Sequence, residues 1–411
     1  MDLLLRDTLS GRVQAVQHRR GRPVSLYVCG PTVYDGAHVG HARTYLFFDL
    51  IRRHLEAEGV GVRHVMNVTN FEDKIDVRAA ELGLSWRSLA LREEASFLRD
   101  LRALRILAPH YRPRASAYVR QMTEVARRLA KTGRVHRHGD TWLYTPPPRA
   151  PGVNFPTGAE LALHAVDEPG HPFNVADNSA GEFLVWKLQE PPRPSWPGPW
   201  GRGTPGWHLE CYAMAHDLLG VPVDVHGGGL DLIFPHHYSE NEVALALDRR
   251  PFARLFVHPS LVLWAGSKMS KSRGNLVPLR SALRDVGPDA LRWYLIGRPK
   301  TERLNWTPIG LHRAASEWRR IRRTVRSWLR PGAGGHVGAL RAAEVAAAVR
   351  RDMAADLATD RVFDHLRGLA AAIDADPSGH VPTGDGRGAR VAIRDVERRT
   401  GLVFGVDAAR P

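Results

Sequence analysis

Apolar positions along the chain follow two different periods. Val24-Ser-Leu-Tyr-Val28 is a short run of β-branched and aromatic side chains, the pattern of a buried strand. From Thr44 to Leu55 apolar residues recur at helical spacing, so a helix follows. Gly61 to Thr69 alternates like a second parallel strand. Strand, helix and strand at this spacing predict a right-handed βαβ unit. Residues 78–132 read as mostly helical, with apolar spacing through Ala95–Leu104 and an amphipathic helix over 116–131 that stops near Gly133. Residues 1–23 read as a β-ribbon or loop lead-in, closed by Gly21-Arg-Pro23.

The character changes between Val135 and about Pro205. Pro146-Pro-Pro-Arg-Ala-Pro151 and a Pro-, Trp- and Gly-rich run at 190–206 frame a loop-rich insertion with short strands at Asp140–Tyr144 and Gly181–Trp186. Beyond it the α/β pattern resumes. A helix is expected from Cys211 to Leu219, a strand from Val221 to Val225, and a further strand before Lys268. Leu279–Val286 and Pro288–Ile296 read as two short helices split at Gly287, and 309–330 as a basic amphipathic helix. After the linker Pro331-Gly-Ala-Gly-Gly335 come Ala-rich helices over 337–374, a loop over 375–388 and a last helix over 389–400. No internal repeat is present. The fold class is therefore α/β: a doubly wound parallel sheet with an inserted domain and a C-terminal helical domain. The expected units are 1–115, 116–205 (the insertion), 206–262, 263–330 and 331–411.

Composition narrows the class. With 411 residues, 43% hydrophobic and 25% charged, the chain is globular and large enough for two or three domains. No apolar run approaches the roughly 20 residues of a membrane span, and the first 20 residues carry acids without a signal-peptide core. A cytoplasmic monomer without membrane contact is the expectation. The formal charge of +15 suits an anionic partner such as a nucleic acid, although arginine far outnumbers lysine throughout and charge alone decides nothing. Two cysteines exclude a disulfide framework.

Candidate chemistry starts where the first strand meets the first helix, in Cys29-Gly-Pro-Thr-Val-Tyr-Asp-Gly-Ala-His38-Val-Gly-His41. A tight glycine-containing turn between strand and helix is where α/β folds bind nucleotides, because exposed N–H groups and the positive helix end attract phosphate. This stretch is neither a P-loop nor Gly-x-Gly-x-x-Gly. It places His38 and His41 where those schemes have glycine or lysine. It resembles the His-Ile-Gly-His element of class I aminoacyl-tRNA synthetases, and Lys268-Met-Ser-Lys-Ser272 is similar to that class's second ATP-binding loop. Two such elements in this order are specific where either alone is weak. The resemblance implies that His38, Gly40, His41, Lys268 and Lys271 bind ATP and stabilise its reacting phosphates.

A second constellation lies at Asp231-Leu-Ile-Phe-Pro-His236-His237-Tyr-Ser-Glu240-Asn-Glu242. On a helix His236 and Glu240, four apart, face the same side. With Cys29 and with Cys211, in Gly206-Trp-His-Leu-Glu-Cys211, they make a Cys-Cys-His-Glu set suited to tetrahedral zinc. Glu242 stays open as the fourth ligand, since Tyr238 and Ser239 stand before Glu-Asn-Glu.

Most of the chain, from residue 1 to about 330, resembles the cysteinyl-tRNA synthetase family. The resemblance rests on Tyr27–Tyr34, His38–Arg43, Asn67–Ile75, Pro194–Pro197, Gly206–Cys211, His226–Gly229, Phe234–His237 and Lys268–Asn275. It implies a Rossmann-like class I fold and ATP-dependent activation of L-cysteine, with Mg2+ accompanying ATP and the product passed to tRNA. It further implies one zinc on Cys29, Cys211, His236 and Glu240 that binds the substrate thiolate, which a serine hydroxyl cannot imitate. By position, Thr69, Trp207, His226 and Asp231 would surround the amino acid. The resemblance also reaches the mycothiol-pathway ligase, which joins cysteine to a glucosaminyl-inositol amine. Gly-Pro-Thr-Val-Tyr after Cys29, Arg43 and Asp73-Lys-Ile75 favour the synthetase over it, and intact ATP elements speak against an inactive paralogue. The C-terminal portion is shorter than usual in the family, and the family's Asp-Asp-Phe-Asn-Thr is reduced to Ala355-Asp-Leu-Ala-Thr359.

Overall fold

The computed structural model describes residues 2–147, 181–269, 274–329, 336–375 and 385–405. Its centre is a four-stranded, all-parallel sheet in the spatial order Ala253–Val257, Val223–Gly227, Val24–Val28, Val62–Met66. All five residues of Val24–Val28 are buried. That is why the run carries no polar face: helices cover both sides of a parallel sheet. Val24–Val28 continues through the helix Val39–Ala57 into its neighbour Val62–Met66. After the insertion, the chain returns to the opposite flank of Val24–Val28 with Val223–Gly227, then steps outward to Ala253–Val257. The strand order thus reverses between Val24–Val28 and Val223–Gly227. A doubly wound sheet opens a crevice at such a reversal, beyond the carboxyl ends of the strands.

The helix Val39–Ala57 is buried on more than the sheet side. Arg43, Asp49 and His54 join Phe47, Phe48, Leu50 and Ile51 among its buried residues. The helices Pro288–Ile296, His336–Ala354 and Asp385–Thr400 pack against it from outside. One apolar cluster therefore runs from the sheet through this helix to Val345, Phe363, Ile393 and Phe404. Its polar positions are tied by ion pairs: Arg292 Nη2 donates to Asp49 Oδ2 at 2.6 Å and Arg53 Nε to the same oxygen at 2.8 Å.

Most expected elements are present within a few residues. The helix carrying Cys211 begins earlier, at His208–Leu218, and the following strand is Val223–Gly227. The lead-in is an antiparallel ribbon, Leu4–Arg6 with Val13–Ala15. The insertion departs further from expectation. Its described part is a five-stranded antiparallel sheet, in spatial order Val135–His138, Thr141–Tyr144, Phe183–Leu188, Gly201–Pro205, Trp196–Gly198. The Pro- and Gly-rich run at 190–206, expected as loop, supplies two of these strands. Its glycines make room for Trp186: a Cβ at Gly198 would lie 1.9 Å from the indole. Part of Pro146–Pro151 and the linker Pro331–Gly335 lie outside the described residues, as does most of the loop expected at 375–388. Among the described residues no helix is long and apolar enough to cross a membrane.

Candidate active site

At the reversal point the backbone is pinned before any side chain acts. Cys29 N–H donates to Gly227 O at 2.8 Å, continuing the pairing of the two central strands. Tyr45 donates its hydroxyl to Cys29 O at 3.2 Å. Gly30 N–H donates to Asn67 Oδ1 at 2.8 Å, and a Cβ at Gly30 would sit 1.6 Å from Asn67 O, so only glycine lets the strand ends approach. Gly227 meets the same limit, with Val257 O 2.0 Å from a would-be Cβ. These contacts aim Cys29 across the crevice at Cys211, which the helix His208–Leu218 presents from the other side.

The turn that delivers His236 is not a regular helix. Ile233–His237 forms a wide π-type turn in which Phe234 is extended, and Tyr238–Asp248 continues it as an α-helix. The spacing of four still brings His236 Nε2 to 2.9 Å from Glu240 Oε1. Cys29 Sγ lies 3.5 Å from Cys211 Sγ and 3.7 Å from Glu240 Oε1, and Cys211 Sγ 3.5 Å from His236 Nε2. All four residues are buried. Metal–sulfur bonds of about 2.3 Å and metal–nitrogen or –oxygen bonds of about 2.0–2.2 Å place tetrahedral ligand atoms about 3.3–3.8 Å apart. Three of the observed separations, 3.5, 3.5 and 3.7 Å, fall in that range, and the His236–Glu240 pair at 2.9 Å lies below it, so the four donors fit one zinc-sized ion once that pair opens slightly. Glu240 joins the group; Glu242, two residues on, belongs to neither of the possible metal-holding groups among the described residues.

Electrostatics point the same way. Burial opposes charge on His236, yet Glu240 and Cys211 outweigh it and raise its pKa to about 10. Glu240 is held well below the usual carboxylate range, where His236, His226 and His237 overcome the effect of burial. Burial pushes the Cys29 thiol up, while Cys211, despite burial, is pulled down by its hydrogen bond with Cys29 and by His236. Protein cations of this sort signal a negative pocket that a metal ion would satisfy.

The remaining expected residues divide into those beside the cluster and those apart from it. Trp207 stacks on His236, ring centres 4.0 Å apart and planes 16° from parallel. Thr69 does not cap a helix; its hydroxyl donates to Glu210 Oε2 at 2.7 Å, and Glu72 caps the helix Asp73–Glu81 instead. His226 lies behind Glu240, on the side of its second carboxylate oxygen. It is fully buried, with Nε2 2.8 Å from Glu240 Oε2 and Nδ1 3.1 Å from Tyr27 O. Asp231 faces the other way, toward Lys268, with Nζ 3.3 Å from its Oδ2.

The nucleotide element forms the N-terminus of the helix Val39–Ala57. His38 caps it, Nδ1 accepting from Gly40 N–H at 3.1 Å and His41 N–H at 3.3 Å. A Cβ at Gly40 would lie 2.9 Å from the His38 ring, which explains the glycine. His38 and His41 stack at 3.7 Å. Burial lowers both pKa values, that of His41 to about 4, so both imidazoles are neutral near pH 7. The later ATP-type element comes alongside: Val39 N–H donates to Val277 O and Leu279 N–H to Ala37 O, at 3.0 and 2.8 Å. Lys268 is in place next to it, while Lys271 lies outside the described residues.

Several site residues escaped the sequence reading. His237 is fully buried, Nε2 3.3 Å from Cys29 Sγ and Nδ1 2.7 Å from His258 Nε2. Glu210 and His208 lie beneath Thr69 and His236; His208 Nδ1 is 3.2 Å from His236 Nδ1. The doublet His236-His237 was the available signal for His237. Regular helical periodicity points adjacent residues away from each other, and only the π-type turn brings both inward.

Comparison with known proteins agrees with this geometry. Residues 15–316 match the family model described as tRNA synthetases class I (C) catalytic domain. The chain is 36% identical over 328 residues to a cysteine–tRNA ligase of Thermococcus onnurineus (strain NA1), covering 79% of this chain and 68% of that one. It is 36% identical over 378 residues to the cysteine–tRNA ligase of Paramagnetospirillum magneticum (strain ATCC 700264 / AMB-1), covering 91% and 80%. In fold it is similar to Mycobacterium tuberculosis methionyl-tRNA synthetase in complex with methionyl-adenylate, with a TM-score of 0.65 at 17% identity over 93% of this chain and 92% of that one.

Proposed function

The chain belongs to the class I cysteine–tRNA ligase family, and we propose that its buried thiolate–imidazole–carboxylate cluster selects the amino acid that it activates. The reaction joins cysteine to tRNA at the expense of ATP. One observation carries the proposed selector: Cys29, Cys211, His236 and Glu240, drawn from three separated stretches of sequence, converge with separations suited to one ion. Zinc bound there supplies a soft Lewis acid that accepts a substrate thiolate and refuses a hydroxyl.

Everything else is assigned to the chain's own side chains. Trp207 holds the His236 ring in plane. His226 holds the Glu240 carboxylate through its second oxygen. Thr69, beside the cluster and anchored on Glu210, borders the amino acid. The cysteine carboxylate attacks the α-phosphate of ATP and pyrophosphate leaves, so no protein nucleophile is needed and catalysis is positioning with charge stabilisation. Neutral His38 and His41 donate to phosphate oxygens at the positive end of the helix Val39–Ala57. Lys268, and Lys271 by its place in the sequence, neutralise the leaving pyrophosphate, and Mg2+ carried in with ATP would add positive charge there. Asp231 tethers Lys268 at the rim of the crevice.

In the second step the ribose hydroxyl at the tRNA end attacks the cysteinyl-adenylate. The helix Pro308–Trp328 buries Trp318, Ile321, Val325 and Trp328 and exposes Arg313, Arg319, Arg323 and Arg326, a face suited to tracking phosphates. A cytoplasmic location follows from this substrate. The test is cysteine-dependent ATP–pyrophosphate exchange by zinc-loaded protein, followed by AMP release on adding tRNA or glucosaminyl-inositol. Exchange with release driven by tRNA is the expected result. Release driven only by the amino sugar would overturn the acceptor, and no exchange would overturn the activation chemistry.

A further inference from the structure

Arg43 stands two residues after His41 in the helix Val39–Ala57 and is fully buried. Its hydrogen bonds among the described residues go to main-chain carbonyls alone. Nη1 donates to Ser260 O at 3.1 Å and Leu261 O at 3.4 Å, and Nη2 to Pro299 O at 3.0 Å. We propose that Arg43 is a positioning residue for the activation step: it sets the strand that delivers Lys268 against the helix that carries His38 and His41. This rests on the reading of those three side chains as the groups that meet the phosphates of ATP.

The topology shows what the guanidinium grips. Ser260 and Leu261 lead directly into the strand Val262–Trp264, which pairs antiparallel with Ser267–Lys268, Leu263 opposite Lys268. Leu304–Trp306 lies parallel on the other side, with Leu304 opposite Val262. Ser260 N–H donates to Lys300 O at 2.7 Å, so the segments around Ser260 and Pro299 are already joined to each other. One planar fork therefore holds both approaches to the three-stranded sheet. Behind it, buried Lys300 pairs with Asp356, and the Thr359 hydroxyl donates to Arg298 O at 3.3 Å. These contacts give the segment around Pro299 a fixed base.

The same helix holds the far end of the loop. Val39 N–H donates to Val277 O, and Leu279 N–H to Ala37 O. The chain from Lys268 to Val277 is thus strung between two anchors at one helix N-terminus. The exit anchor is backbone. The entry anchor is the Arg43 side chain, which a substitution can remove.

Energetics separate positioning from simple adhesion. Burial lowers the Arg43 pKa to about 10, and Glu302 offsets only part of this, so a charged group stays in the interior near pH 7. Such burial is unfavourable beside apolar packing of the same volume. Apolar packing is also present, since Phe47, Val262 and Leu304 belong to one cluster. Hydrophobic contact is non-directional, however, and lets a strand slide along a helix. A rigid fork bonded to three carbonyls selects one register.

The test is a double-variant cycle in cysteine-dependent ATP–pyrophosphate exchange, on full-length, zinc-loaded protein. The native chain is compared with Arg43→Met, Lys268→Ala and the two combined. Arg43→Met keeps the length and removes the fork. It should lower kcat by about 100-fold, the effect of a misplacement of about 1 Å at the reacting groups. KM for cysteine should stay within about twofold. Lys268→Ala should lower kcat at least about tenfold in the native chain. In the Arg43→Met chain it should lower kcat less than about threefold further, because the ammonium is already out of place. Losses that multiply independently, or a rise in KM for cysteine as large as the fall in kcat, would overturn the positioning role. Should Arg43→Met not fold by circular dichroism, the cycle is run with Arg43→Lys, whose single ammonium cannot span both segments, and the same outcomes decide. Native protein without exchange, or Lys268→Ala as active as the native chain, would instead overturn the phosphate-site reading.

Discussion

Asp49 offers the sharpest quantitative test of how the catalytic helix is held. It sits midway along Val39–Ala57, whose N-terminus carries His38 and His41, and its side chain is 0% exposed. Its carboxylate accepts from Arg292 Nη2 at 2.6 Å, Arg53 Nε at 2.8 Å and Leu107 N–H at 2.9 Å. Arg292, also 0% exposed, passes the connection on to Thr400 O at 2.7 Å and Leu104 O at 3.1 Å. Asp49→Asn keeps the shape and removes the charge, leaving the Arg292 guanidinium buried without a counter-ion. Breaking a buried pair from one side costs about 3–5 kcal/mol. A domain is stable by only about 5–15 kcal/mol, so the variant should unfold at much lower urea. The pH dependence sharpens the claim. Burial raises the Asp49 pKa, but Arg292 and Arg53 overcome this and hold it below its ordinary value. Its contribution is thus fully present above the unfolded value of about 3.9 and is lost as pH falls through the lower folded value. The deficit of Asp49→Asn should be full at pH 7 and shrink below about pH 4. Urea titrations followed by circular dichroism measure both. A loss under about 1 kcal/mol at pH 7, or a deficit that does not change with acid, would refute the reasoning.

Three other outcomes test the rest of the site. Trp207→Ala removes the stack on His236. An aromatic pair worth about 0.5–1.5 kcal/mol predicts a rise of about 2- to 10-fold in KM for cysteine with KM for ATP unchanged, and equal changes in both would refute a local role. Asp231→Asn frees Lys268. For a partly exposed pair worth at most about 1 kcal/mol, KM for ATP should rise no more than about fivefold in pyrophosphate exchange, whereas a selective rise for cysteine would place Asp231 on the amino acid instead. His64 is buried with no hydrogen-bond partner for either ring nitrogen among the described residues, and burial lowers its pKa to about 3. Its folded value lies below the unfolded one, so the unfolded chain protonates first and stability falls as pH drops from about 6.5. His64→Leu should therefore recover about 3 kcal/mol between pH 7.5 and 4.5, and urea midpoints that fall in parallel with the native chain would count against it.

By itself, the amino-acid sequence determined the parts whose physics is local. A five-residue run with one small polar position and no charge implies a strand covered on both faces, and Val24–Val28 is one, with Ser25 satisfied by Asp224. Glycine beside histidine at a strand–helix junction implies a helix N-terminus, and His38 with Gly40 forms its cap. A spacing of four set His236 against Glu240 even though the backbone there is not a regular helix. The tertiary structure alone decided what depends on distant segments arriving together. Only the reversal of strand order brings Cys29 to Cys211, 182 residues away. The direction of each imidazole was equally beyond the sequence, because a wide turn pointed His237 inward and a neighbouring strand placed His226 behind Glu240. The glycines at 198 and 203 read as loop because no local rule reveals that Trp186 must lie across them. Periodicity records which face of an element is buried, but not what another element will set against it.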